Sequence, residues 1–279
     1  MKRVLRWLAY GLGGLVTIVV FAALGGFVAS EMMIRRTFPK PQVQLAATKD
    51  PGAVERGRKI AVVTGCHDCH GDDMSGKLFH DEPMIVRAWG PNLTLAAAKQ
   101  TDAELARAIR HGVAADGRSL WVMPSDALSR LTDTETADLL AYVRSFPVRG
   151  EVQPALQVGP LGRVGLLTGK FNSAPANLAK HGQTSIPHFG PQHAQGRELA
   201  RNCMECHGLD LKGGFGPDLT IAAAYDAEQF ETLLRTGIAP GGRKLGLMTQ
   251  VSPARFNVLT DQEIAALHGY LKRRAETAS

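Results

Sequence analysis

Two halves of this chain carry the same blocks of sequence in the same order. ERGRKIAVVTGC at 55–66 corresponds to AQGRELARNC at 194–203, and GPNLTLAAA at 90–98 to GPDLTIAAA at 216–224. TDAELARAIRHGVAADGRSLWVM at 101–123 aligns with DAEQFETLLRTGIAPGGRKLGLM at 226–248, and LTDTETADLLAYV at 131–143 with LTDQEIAALHGYL at 259–271. A repeat of this extent restricts the fold strongly, because each half must build its core from the same elements. The 279 residues suit two domains of about 100 to 150 residues each.

The blocks read as helices with identifiable ends. Thr101 with Glu104, Thr132 with Glu135 and Thr260 with Glu263 each fit a capping box, where a hydroxyl and a carboxylate satisfy backbone donors left over in the first turn. Gly112 and Gly237 stand where a left-handed residue stops a helix. Leu105, Ala108 and Ile109 make a one-sided apolar stripe, as do Leu139, Leu140 and Val143. No run of alternating β-branched residues competes, so the expected class is all-α, two small bundles of short helices. Only 6% of residues are aromatic, which leaves room for something else to fill each small core.

The cysteines point to what that is. All four lie in two clusters, Cys66 and Cys69 in GCHDCHG and Cys203 and Cys206 in NCMECHG. Paired C-x-x-C segments are compatible with redox-active dithiols or with two halves of a four-thiolate zinc site. A histidine directly after each pair, His70 and His207, favours c-type haem attachment, in which two thiols add to the haem vinyl groups and the adjacent imidazole ligates the iron.

The N-terminus begins MKRVLRW and continues without charge from Trp7 to Ser30, 24 residues, enough for a bilayer core of about 30 Å. Lys2, Arg3 and Arg6 would stay cytoplasmic, although Arg35, Arg36 and Lys40 weaken the asymmetry. The apolar run exceeds a signal peptide's usual core, so an uncleaved anchor is favoured over cleavage after VAS at 28–30; either reading exports the rest. Residues 1–45 hold six of the 32 basic and one of the 26 acidic residues. The remainder is close to neutral, without the dense basic stripe that nucleic acid binding needs.

Taken together, these blocks resemble class I cytochrome c domains, two in tandem, over about 52–147 and 193–274. With the anchor, the pair resembles the membrane-bound multi-haem cytochrome subunits of bacterial periplasmic alcohol, aldehyde and sugar dehydrogenases. The resemblance implies an anchor at 1–35, domains at 46–147 and 193–274, and an irregular linker at 148–192 whose apolar run VGPLGRVGLLTGKF would pack on a domain, the membrane surface or a partner. It implies two covalent haems on Cys66, Cys69, Cys203 and Cys206, with His70 and His207 as proximal ligands oriented by the Pro91 and Pro217 carbonyls. Tyr142 should lie against Gly57, and Tyr270 against Gly196.

Met123, followed by Pro124 as in the family's Met-Pro pair, and Met248 in the aligned position are the expected distal ligands. Met248 precedes Thr249 instead, which leaves His268 or an open position as rivals. Met74, Met84 and Met204 read as core filler, and His67, His80, His111, His181, His188 and His193 as surface or hydrogen-bonded residues. Arg110 with Arg235, and Arg118 with Arg243, recur between the halves. A haem propionate or an exposed helix face accounts for either pair.

The function so implied is electron transfer without catalysis, by a dihaem protein held on the periplasmic side of the bacterial inner membrane. Its expected partner is a dehydrogenase catalytic subunit or another redox protein, with quinone or an oxidase as further candidates. The alternatives are a dihaem subunit of a haem-copper oxidase, or a dihaem peroxidase if one iron keeps an open position.

Overall fold

The computed structural model describes residues 2–182 and 184–278. It opens with α1 (Lys2–Ile34), which is long and apolar enough to cross a membrane and is exposed along most of its length. The first repeat follows as α2 (Ala53–Val63), α3 (Cys66–His70), a hairpin of β1 (Lys77–Glu82) and β2 (Val86–Gly90), then α4 (Leu93–Lys99), α5 (Asp102–His111), α6 (Ser125–Leu128) and α7 (Asp133–Arg144). A connecting segment contributes β3 (Gln157–Val158), α8 (Pro160–Leu167) and α9 (Ala174–His181). The second repeat comprises α10 (Ala194–Ala200), α11 (Met204–His207), a 3-10 turn at Leu219–Ala224, α12 (Ala227–Thr236), a short hairpin of β4 (Ile238–Ala239) and β5 (Arg243–Lys244), α13 (Leu247–Arg255) and α14 (Asp261–Ala278). The architecture is all-α apart from these short strands.

Helix ends follow the chemistry of their residues. Each expected capping box is present: the backbone N–H of Glu104, Glu135 and Glu263 donates to the hydroxyl three residues before it, and the carboxylate accepts from that residue's N–H. Gly112 and Gly237 end α5 and α12 at φ +65° and +71°, a conformation that costs other residues a steric clash.

Each half is organised by one helix crossing. α2 lies across α7 at Gly57, where an added Cβ would come within 2.7 Å of the Tyr142 Cβ. α10 lies across α14 at Gly196, with the same 2.7 Å to the Tyr270 Cβ. Only the absence of a side chain lets the backbones approach this closely, so both expected glycine–tyrosine contacts are present. Leu139, Leu140 and Val143 are buried at the first crossing, and Leu267 and Leu271 at the second. Burying each such side chain stabilises the fold by about 1.5–3 kcal/mol.

Some expectations need correction. Three strands form a sheet in the order β1-β2-β3, so the connecting segment is partly regular, carrying β3, α8 and α9. On α5 the expected stripe faces the first core, with Leu105 buried and Ile109 half-buried against it, and Ala106 and Arg107 are buried as well. Met74 and Met204 are core residues, but Met84 is exposed in the hairpin turn.

The repeats are docked on one another. Lys59 Nζ lies 2.5 and 2.6 Å from the two oxygens of Glu263, and Arg201 Nη2 lies 3.0 Å from Glu135. Val63 of α2 joins the apolar cluster of the second half with Ala200, Phe256 and Leu259. On the other side of the first half, α8 packs against the end of α1. There Arg163 donates to Ser30 Oγ at 2.8 Å and Glu31 at 2.9 Å, with its guanidinium 4.2 Å from the Phe27 ring centroid.

Candidate haem centres

The first cysteine cluster sits on the single turn of α3, and the second spans a 3-10 turn at Arg201–Cys203 and α11. Gly65, at φ +73°, turns the chain out of α2 and into α3, so that Cys66 and Cys69 share one face. None of the four cysteines is in a disulfide. Burial pushes the thiols up, Cys69 to about 11 and Cys203 to about 12, away from the lowered values of reactive dithiols. Among the described residues no three His, Cys, Asp or Glu side chains are grouped to hold a metal ion. The two thiol pairs therefore do not converge on a four-thiolate zinc site.

The histidines are held alike. Nδ1 of His70 lies 2.8 Å from the carbonyl oxygen of Pro91, and Nδ1 of His207 lies 2.8 Å from that of Pro217. A carbonyl only accepts, so each Nδ1 carries the proton and each Nε2 keeps the lone pair a metal needs. Burial lowers the pKa of His70, which also favours the neutral imidazole.

The glycine before each proline serves the same end, a role the sequence reading missed. A Cβ on Gly90 would come within 2.5 Å of the Cys69 carbonyl carbon, and one on Gly216 within 2.6 Å of Cε1 of His207. Free paired thiols, an adjacent Nδ1-anchored imidazole and a glycine cleared against the motif are a donor set that fits covalently attached haem.

The two methionines arrive on equivalent hairpins. After Gly112 the chain closes a turn, with Leu120 N donating to Gly112 O at 2.7 Å, and Met123 follows, half-buried on the cluster that also holds Cys66. In the second half β4 and β5 form the turn, and Met248 opens α13, half-buried on the cluster that holds Cys203. Thr249, which replaces the expected proline, accepts from Leu245 N at 2.7 Å through its hydroxyl and so closes the first turn of α13.

Other histidines and arginines have different occupations. His268, the rival of Met248, is buried, stacked on Phe230 at 4.5 Å between centroids, with Nε2 3.2 Å from Ala222 O. His67 meets the Tyr142 hydroxyl at 3.3 Å. Arg110 and Arg235 bind Asp133 and Asp261 at 2.5 and 2.6 Å, tying α5 to α7 and α12 to α14 in the same way. Arg118 pairs with Asp116 at the surface, and Arg243 is exposed.

The comparison with known proteins agrees with this geometry. The family model described as Cytochrome c matches residues 54–147 and again 193–274. The chain is 24% identical to the fructose dehydrogenase cytochrome subunit of Gluconobacter japonicus, over 84% of this chain and 55% of that protein. It is 26% identical to the cytochrome c subunit of the quinone alcohol dehydrogenase of Gluconacetobacter polyoxogenes, over 80% and 56%. The chain thus spans about half the length of these relatives. With the family matched across both repeats, the chain belongs to the cytochrome c family, whose domains imply covalently bound haem c.

Proposed function

We propose that the chain is a membrane-anchored dihaem cytochrome that carries electrons on the periplasmic side of the bacterial inner membrane, as the electron-accepting subunit of a dehydrogenase. The observation that carries this reading is the duplicated 2.8 Å bond from histidine Nδ1 to a proline carbonyl, each beside a free C-x-x-C pair. In it, Cys66 and Cys69 hold one haem by thioether bonds, and Cys203 and Cys206 hold the second. His70 and His207 would ligate the irons through Nε2, and Met123 and Met248 would supply the second protein ligand of each. Bound haem supplies reversible one-electron chemistry, and methionine ligation sets a higher potential than two nitrogen ligands would.

The chain's own residues contribute position and burial. The proline carbonyls fix each imidazole plane, the glycines before them admit the motif, and the first cysteine of each pair, Cys66 and Cys203, lies on an apolar cluster. No acid or base is called for. Met248 shares its cluster with Cys203 while His268 is engaged elsewhere, and this supports two closed centres over the open position a peroxidase requires.

The names of the two relatives favour a dehydrogenase over a haem-copper oxidase as the partner. Placement on the membrane is supported by α1, and by α8, which turns Leu161, Val164 and Leu167 outward beside the last turns of α1. The test is extraction from native membranes in mild detergent, with mass spectrometry of the chains that co-purify in equal amounts. A flavin, quinone-cofactor or molybdenum dehydrogenase is expected; a haem-copper oxidase core would replace this reading.

A further inference from the structure

The two attachment motifs are joined through one side chain. Asp68 and Glu205 occupy the same position in CHDCH and CMECH, the residue before the second cysteine. Nε of Arg255 lies 2.7 Å from Asp68 Oδ2, and its Nη1 lies 2.6 Å from Glu205 Oε2. Arg255 is only 9% exposed, so its charge is removed from water and compensated by these two carboxylates.

Its position is tightly determined. A Cβ on Gly65, the residue before Cys66, would come within 2.5 Å of Arg255 Nε, so the guanidinium lies directly against the backbone that leads into the first motif. Arg255 ends α13, in a stretch of the second repeat three residues longer than in the first, counted from Met248 to Thr260 against Met123 to Thr132. Thr64 and Glu205 also line one small crevice between the repeats. The attachment turns thus face each other across a single planar cation rather than across solvent.

We infer that Arg255 is the positioning residue for electron transfer between the two centres. It locks the two attachment turns together and so would hold the haems attached there at a fixed separation. The transfer moves one electron: one iron goes from ferrous to ferric, the other from ferric to ferrous, and no bond is made or broken. The inference rests on the dihaem reading above and adds a route between its two centres. It also differs from simple docking, because the Lys59–Glu263 pair holds α2 against α14 without touching either motif.

The experiment uses the full haem-loaded chain in detergent, as wild type, Arg255→Gln, Arg255→Lys, Glu205→Gln and, as interface control, Lys59→Gln. Haem per chain is counted first. Pulsed electron paramagnetic resonance of the ferric protein then reads the spread of inter-haem separations, and pulse radiolysis reads the transfer rate between the centres. With two haems per chain, Arg255→Gln is expected to broaden the separations and slow transfer by roughly tenfold or more. Glu205→Gln should act in the same direction if Arg255→Gln does not fold, and Arg255→Lys should fall between because an ammonium cannot span both carboxylates in one plane. Lys59→Gln, which loosens docking without touching a motif, should disturb both readouts much less than Arg255→Gln. The inference is overturned if Arg255→Gln, or Glu205→Gln in its place, keeps wild-type separations and rate, or if Lys59→Gln disturbs them equally. Fewer than two haems per wild-type chain would overturn the dihaem reading itself, and this inference with it.

Discussion

Gly216 stands where any side chain would strike the ring of His207: an added Cβ would lie 2.6 Å from Cε1 and 2.7 Å from Nδ1. The same ring is held by the Pro217 carbonyl at 2.8 Å. Gly216→Ala therefore has to push the imidazole off its hydrogen bond. The expected result is a raised and broadened midpoint for one haem of the pair, because the lost bond makes the imidazole a weaker donor to ferric iron, with the other unchanged, read by optical redox titration.

The crossings at Gly57 and Gly196 should behave as equivalent points in the two halves. Gly57→Ala and Gly196→Ala each place a methyl within 2.7 Å of a tyrosine Cβ on the facing helix. Each should destabilise its half by about 1–3 kcal/mol through forced separation of the helices. Urea unfolding of the haem-loaded protein checks this, and two variants with unchanged midpoints would contradict it.

The contact between repeats should weaken in acid. Burial alone would raise the Glu263 carboxyl, but the bonds from Lys59 and from the Thr260 N–H outweigh it and hold the group below its ordinary value of 4.5. A carboxylate with a depressed folded-state value contributes stability that is complete above its unfolded value and is lost as pH falls through the folded one. Docking should therefore loosen from about pH 5 downward. Limited proteolysis across the 148–192 segment reads the loosening, and Lys59→Gln should show much less of this pH dependence.

α8 should touch lipid. Its exposed residues Leu161, Val164 and Leu167 continue the apolar surface of α1, to which Arg163 fastens it through Ser30 and Glu31. With the chain in vesicles containing brominated acyl chains, a tryptophan at Val164→Trp should be quenched. One at Ile221→Trp, in the second half, should not.

What could be read from the sequence was local or duplicated. The boxes at Thr101, Thr132 and Thr260 depend on residues three apart, and the glycine–tyrosine crossings and histidine–proline bonds followed from the resemblance to class I cytochrome c domains that the duplicated blocks carry. The Asp226–Gln229 box of α12 performs the same service with different side chains and escaped that comparison. The β1–β2 hairpin has no counterpart in the second half, and its burial pattern does not alternate cleanly, so periodicity could not mark it. Arg255 reaches Asp68 across 187 residues and Glu205 across 50. Nothing in local sequence signals such a bridge; it exists only once the repeats are docked.

The central claim is two haems per chain, each closed by histidine and methionine. Near-infrared magnetic circular dichroism of the ferric protein tests it most directly, because the charge-transfer transitions report the axial ligand pair of each low-spin haem. The account predicts histidine–methionine ligation at both centres, unchanged in His268→Ala and lost at one centre in Met248→Ala. A high-spin haem, or a bis-histidine centre that disappears in His268→Ala, would contradict it.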